Sequence, residues 1–202
     1  MNELKGQTVL ITGAKGGLGT YVTRAFLDAG AQVVGSSRVI QDADFANPNF
    51  AAIPADLTNA GAARQLAAGM IARFQKIDVL VHVMGGFAGG QPIHETDDAT
   101  WDNMMNVNLR SAFHTLRAVI PVMRKAGRGR IIAIGSRAAV EPSANISAYN
   151  VSKAGLVALV KTAALENKEM GITANLILPG TINTESAASP SLVMFPLRSE
   201  LS

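Results

Sequence analysis

The chain has 202 residues, 48% of them hydrophobic and 16% charged, and no cysteine. That length and balance fit one globular domain with a sizeable core and exclude a disordered chain, while the lack of cysteine excludes a disulfide framework and a thiolate metal site. The formal charge of +3 is scattered; its one small cluster, Arg124, Lys125, Arg128 and Arg130, has no interleaved aromatics and reads as complementing the negative end of a helix, not as a nucleic-acid surface.

The opening "MNELKGQTVLITG" has an acid and an early glycine where a secretory signal needs a long apolar core, and no apolar run is long enough for a bilayer. The expectation is a cytoplasmic protein with no membrane and no nucleic-acid partner. The first strand is then "TVLIT" (8–12), followed by a glycine-rich turn and a helix marked by Leu18, Val22, Ala25, Phe26 and Ala29, which Gly30 closes. "AQVVGS" (31–36), "FAAIPA" (50–55) and "IDVLVHVM" (77–84) read as the next three strands. Met105, Leu109, Ala112, Leu116, Val119 and Met123 mark a long helix, interrupted or kinked near Pro121. "GRIIAIGS" (129–136) is the fifth strand. Leu156, Leu159, Val160 and Ala163 mark the helix that carries "YNVSK" (149–153), and "TANLIL" (173–178) is the sixth strand.

Short β-branched runs alternating with helices predict βαβ units around a parallel sheet covered on both faces. The fold class expected is α/β, a doubly wound, three-layer Rossmann fold with six strands, occupying residues 1–184. Residues 185–202, with two prolines, several serines and no helical period, read as an irregular tail that supplies no seventh strand.

Chemistry enters at the turns after the strands. "TGAKGGLG" (12–19) places Gly13, Gly17 and Gly19 directly before a helix, where backbone amides and the helix N-terminus can receive a pyrophosphate; the same pattern in isolation is also an ordinary strand-to-helix connection. The second strand ends "GSSR" (35–38), without the carboxylate that would accept a bond from the 2′-hydroxyl of NAD. Ser37 and Arg38, helped by Lys15, suit a 2′-phosphate instead, which favours NADP(H) over NAD(H). Asp56, in "ADL" (55–57), either meets the adenine amino group or caps a helix beginning near Thr58. Tyr149 and Lys153 stand one helical turn apart and share a face. The three histidines, His82, His94 and His114, lack ligand spacing, so no metal site is expected.

The glycine turn, Asn108 in "NVNL", Ser136 at the end of the fifth strand, and the Tyr149-x-x-x-Lys153 pair thirteen residues later, in this order, resemble the short-chain dehydrogenase/reductase family over residues 6 to about 184. The resemblance implies a catalytic tetrad of Asn108, Ser136, Tyr149 and Lys153. It implies cofactor contacts at Gly13, Lys15, Gly17, Leu18, Gly19, Ser37, Arg38, Asp56, Leu57, Gly85, Tyr149, Lys153 and, through the Pro179-Gly180 loop, Ile182 and Thr184. A phenol with an ordinary pKa of about 10 is mostly protonated at neutral pH, and a nearby ammonium favours its ionised form. Tyr149 is then the acid/base for interconverting a carbonyl and a secondary alcohol, Ser136 orients the substrate oxygen, Lys153 holds the nicotinamide ribose and Asn108 holds a relay water.

The resemblance further implies a small carbonyl or alcohol substrate and a homodimer or homotetramer through the long helices. The fourth strand departs from the family pattern: "HVMGG" (82–86) stands where amides usually do, with Gly85 kept, and "GGFAGG" (85–90) resembles the branch that includes dihydropteridine reductase. Because the chain after the Pro-Gly loop is short, competing expectations are a shortened relative with weak or no catalysis and a non-catalytic dinucleotide sensor.

Overall fold

A computed structural model describes residues 3–182. Six strands form one parallel sheet in the order β3-β2-β1-β4-β5-β6. They are β1 (Thr8–Thr12), β2 (Gln32–Ser36), β3 (Phe50–Ala52), β4 (Val79–His82), β5 (Gly129–Ile134) and β6 (Ile172–Ile177). Helices α1 (Gly17–Asp28), α2 (Ala60–Phe74), α3 (Asp98–Met104), α4 (Ser111–Ala126) and α5 (Ser147–Asn167) cover it. The sheet grows outward in both directions from β1, so the chain reverses its winding between β1 and β4 and leaves a crevice at their carboxyl ends. Residues 183–202 lie outside the described region, and with them the expected tail and Thr184.

The two faces are sorted by the two-residue period of the strands. Leu10, Leu80 and Ile131 turn to a core shared with Leu66 and Met70 of α2, Leu116 and Met123 of α4, and Leu156 and Val160 of α5. Val9, Ile11, Val79 and Val81 turn the other way, onto Leu27 of α1, Ile40, Phe45 and Phe50. Helix α1 ends as expected: Ala29 is its cap, Gly30 follows with φ +85°, and its N–H donates to the Leu27 carbonyl.

Three expectations are corrected. The third and fourth strands are shorter than the apolar runs. After Ala52 the amides of Ile53 and Ala55 still donate to the Gly35 and Ser37 carbonyls, and Pro54 between them faces the open edge of the sheet, where its missing N–H costs no ladder bond. The long helix is not interrupted at Pro121, which lies on the exposed side of an unbroken α4, where the carbonyl it leaves unpaired can meet water. The irregularity lies upstream, in a π-helical turn over Met105–Arg110 that joins α3 to α4. Asp56 does not cap α2, because that helix starts at Ala60 and its cap is Asn59, whose Oδ1 accepts from Gly61 and Ala62. Asp56 instead accepts from the amide and hydroxyl of Thr58, which hold its carboxyl below the usual range.

At the amino ends of the strands, buried Asp78 accepts from the Thr8 amide at 2.9 Å, meets Lys76 at 2.6 Å and Arg128 at 3.2 Å, and so ties β1, β4 and β5 together. Arg124 of the basic cluster donates to the Glu166 carbonyl and to Asn167 Oδ1 at the C-terminus of α5, the role expected for it.

Candidate active site

At the carboxyl ends of the strands lies a cleft of about 720 Å³, lined at one end by Gly13, Lys15, Ser37 and Arg38 and at the other by Met84 to Phe87 and Met104. Its base is the glycine turn. Gly13 has φ +67°, and a Cβ there would stand 2.9 Å from the Met84 backbone, so only glycine lets β1 turn this close to β4. Gly19 packs against the Gly13 carbonyl too closely for any side chain. Helix α1 begins after Gly16, which offers no side-chain cap to its first amides, at Gly17 and Leu18.

Lys15 donates its amide to Ser37 Oγ at 3.2 Å and pairs its ammonium with Asp44 at 2.7 Å. Arg38 is exposed, lines the cleft, and has no ion pair among the described residues. Asp56 and Leu57 also line the cleft, although the Leu57 side chain is buried in the core and its carbonyl meets His114 Nδ1 at 3.2 Å.

The expected tetrad comes from three elements. Asn108 is fully buried in the π-helical turn, a local widening that often sits at functional sites. Its Oδ1 accepts from the Gly86 amide at 2.9 Å, and its Nδ2 donates to the Gly86 carbonyl and to Ser152 Oγ, each at 3.0 Å. Ser136 follows β5 in extended conformation and accepts from the Ala138 amide at 3.2 Å. Pro179 lies beside that turn, its carbonyl 2.9 Å from the Arg137 amide.

Tyr149 and Lys153 share a face of α5, with Nζ 5.9 Å from the centre of the phenol ring. Lys153 is 5% exposed and donates to the Ile134 carbonyl at 3.0 Å. Burial pulls its pKa down to about 8. Gly85 bridges the cleft to this group: a Cβ on it would stand 2.8 Å from Asn108 Oδ1 and 3.2 Å from Lys153 Nζ.

The residues present fit a nicotinamide dinucleotide. The cleft is elongated between a glycine turn and the Lys153 group, the first amides of α1 lack a side-chain partner, and the buried Ser36 hydroxyl, also lining the cleft, has no partner. Gly17, Leu18, Gly19, Asn108, Ser136, Tyr149, Lys153, Pro179, Gly180 and Ile182 are not among its lining residues. Among the residues the sequence did not single out, Ser36 and Ser152 gave no local signal. Phe87 did: it is the one aromatic in a glycine-rich hexapeptide, and its ring meets Tyr149 edge-on at 5.0 Å. His82 is buried, with Nδ1 3.0 Å from Thr12 Oγ1, in the place of the family's amide.

Comparisons with known proteins bear on the family and the fold. Residues 7–191 match the family model described as short chain dehydrogenase. The D-beta-hydroxybutyrate dehydrogenase of Rhizobium meliloti is 36% identical over 190 residues, covering 88% of this chain and 72% of the relative. The short chain dehydrogenase ausX of Penicillium brasilianum is 33% identical over 184 residues, covering 90% and 71%. In fold, the crystal structure of gox2181 superposes with a TM-score of 0.86 at 24% identity, covering 92% of this chain and 76% of that one. A glycine turn at the winding reversal, a Tyr-x-x-x-Lys helix beside it and a family match along nearly all of the chain make this protein a member of the short-chain dehydrogenase family.

Proposed function

We propose that the chain interconverts a carbonyl and a secondary alcohol, with Tyr149 as acid/base and NADP(H) preferred over NAD(H). The observation that carries the reading is the Tyr149–Lys153 pair: a buried lysine is held by the Ile134 carbonyl at the end of β5, one helical turn from a half-buried phenol and against Gly85 of the cleft.

Bound nicotinamide supplies or accepts the hydride. In reduction, Tyr149 gives its phenolic proton to the developing alkoxide; in oxidation it takes the alcohol's proton. Lys153 spends one N–H on Ile134 and has two more for the Tyr149 side and the cofactor ribose. Ser136 orients the substrate oxygen, and Asn108 braces the Gly86 peptide while taking the relay-water role that the family resemblance assigns to it. Lys15, Ser37 and Arg38 take the adenosine end, with Arg38 as the free cation for a 2′-phosphate. Gly13, Gly17, Leu18 and Gly19 receive the pyrophosphate, Asp56 and Leu57 flank the adenine, and Pro179, Gly180, Ile182 and Thr184 the nicotinamide. The reading includes a cytoplasmic location and a homodimer or homotetramer through the long helices, both carried by the family resemblance.

Tyr149→Phe tests it. Turnover of carbonyl substrates should fall about 10²- to 10⁴-fold, with NADPH affinity nearly unchanged, because the change removes a proton donor and little packing. A variant as fast as the parent would sink the assignment.

A further inference from the structure

The segment Gly85–Gly90 is braced at both ends. Asn108 grips both backbone polar groups of Gly86, its N–H and its carbonyl, and the Gly90 amide donates to the Asn145 carbonyl at 2.7 Å. Gly89 packs against Ile146, and a Cβ on it would stand 3.0 Å from the Asn145 carbonyl oxygen. Between these anchors the chain holds Phe87, which is 52% exposed. Its ring meets Tyr149 at a centroid distance of 5.0 Å and an interplanar angle of 70°. Phe87 also lines the cleft.

A phenylalanine is usually buried, because each Å² of apolar surface kept in water costs about 25 cal/mol. Here the backbone is fixed by polar anchors on the π-helical turn and on the turn before α5, so the exposure is not that of a free loop tip. Gly86 lies against the side chains of Val107 and Met104, and the cleft's other lining residues from that helical stretch, Asn103 and Asn106, are uncharged; the charged residues that line the cleft, Lys15, Arg38 and Asp56, belong to the turns after β1, β2 and β3.

We infer that Phe87 is a specificity-determining residue. It forms an apolar wall beside the Tyr149 phenol and selects carbonyl substrates bearing an aromatic or other flat apolar substituent over those with small alkyl groups. The inference rests on the reading of Tyr149 as the group that meets the substrate oxygen. The exposed part of the ring is available for offset or edge contact with a planar substituent, while the carbonyl oxygen turns toward the hydroxyl.

The test uses the full chain with saturating NADPH and, in parallel, NADH. Turnover of acetophenone and of 2-butanone is compared in the parent, Phe87→Ala and Phe87→Tyr. Binding of acetophenone to Tyr149→Phe, with and without Phe87→Ala, is followed by ligand-observed NMR, which needs no chemistry. Phe87→Ala should lower the acetophenone to 2-butanone ratio of kcat/KM about three- to tenfold, the size expected of one aromatic contact, and weaken acetophenone binding comparably. Phe87→Tyr should restore both. An unchanged ratio with unchanged binding, or no acetophenone binding without the alanine change, overturns the inference. Phe87-dependent binding without turnover of either ketone by the parent would uphold the wall and overturn the proposed chemistry instead.

Discussion

The ammonium of Lys15 lies 2.7 Å from the Asp44 carboxylate, so the cation of the glycine turn is already matched before any phosphate arrives. Lys15 and then the Gln41 amide hold the Asp44 carboxyl below its usual range. Arg38, on the neighbouring turn, has no such partner among the described residues and lines the cleft. Arg38→Ala should therefore weaken NADPH about tenfold or more while leaving NADH within about twofold, since a charge-assisted bond contributes about 1.5–3 kcal/mol. Lys15→Ala should do much less. Titration by nicotinamide fluorescence decides it, and equal losses for both cofactors would count against a 2′-phosphate role.

Lys153 ties protonation to stability. Burial lowers its folded pKa to about 8 from an ordinary 10.5, so between those values the unfolded chain binds more protons and stability rises with pH. The stability of the cofactor-free parent relative to Lys153→Met should increase from pH 8 to 10.5, by at most about 1.4 kcal/mol per pH unit. Denaturant melts of both proteins across that window measure it; a flat difference means the ammonium is better solvated than its burial implies.

His82 acts on the acid side. Burial, and secondarily the Lys153 charge, push its pKa down to about 3 from 6.5. The folded protein keeps the ring neutral while the unfolded chain protonates it, so the stability tied to this ring is complete above about pH 6.5 and is lost as pH falls toward 3. His82→Asn offers Thr12 an amide that does not titrate. Its melting temperature should fall less steeply than the parent's between pH 6.5 and 4, and parallel curves would remove His82 from the account.

Asp78 is the corresponding test of the frame. Burial alone would raise its pKa, but Lys76, the Thr8 amide and Arg128 together hold it below 3.8. Its contribution is therefore present above that value and lost as pH falls through the lower folded one. Asp78→Asn should cost about 2 kcal/mol in urea unfolding at neutral pH, the scale of losing charge-assisted bonds at a buried site. Cofactor affinity should not change, because Asp78 sits at the opposite ends of the strands from the cleft. A loss of cofactor affinity equal to the loss of stability would contradict that separation.

The local patterns carried much of the fold. Alternating β-branched runs marked all six strands, Gly30 marked the end of α1, and the spacing of Tyr149 and Lys153 put them on one face of α5. Each depends on a period or a backbone dihedral that a few neighbouring residues fix by themselves. The errors came where hydrogen bonding, not the apolar or polar pattern, fixed the end of an element. The apolar runs of β3 and β4 overran their ladders, since a ladder ends when its neighbour's hydrogen bonds do. Asp56 had the chemistry of a cap, but Asn59 stood where the helix began.

What the sequence determined by itself is therefore the order of elements, the glycine turn and the shared helix face of Tyr149 and Lys153, because these follow from spacing along one chain. What only the tertiary structure decided is who faces whom: Asn108 on the Gly86 peptide, Asp44 on Lys15, His82 on Thr12 and Phe87 on Tyr149. All four pairs join residues more than twenty positions apart, and no local preference distinguishes one distant partner from another. Burial and charge become defined only when the sheet brings them together.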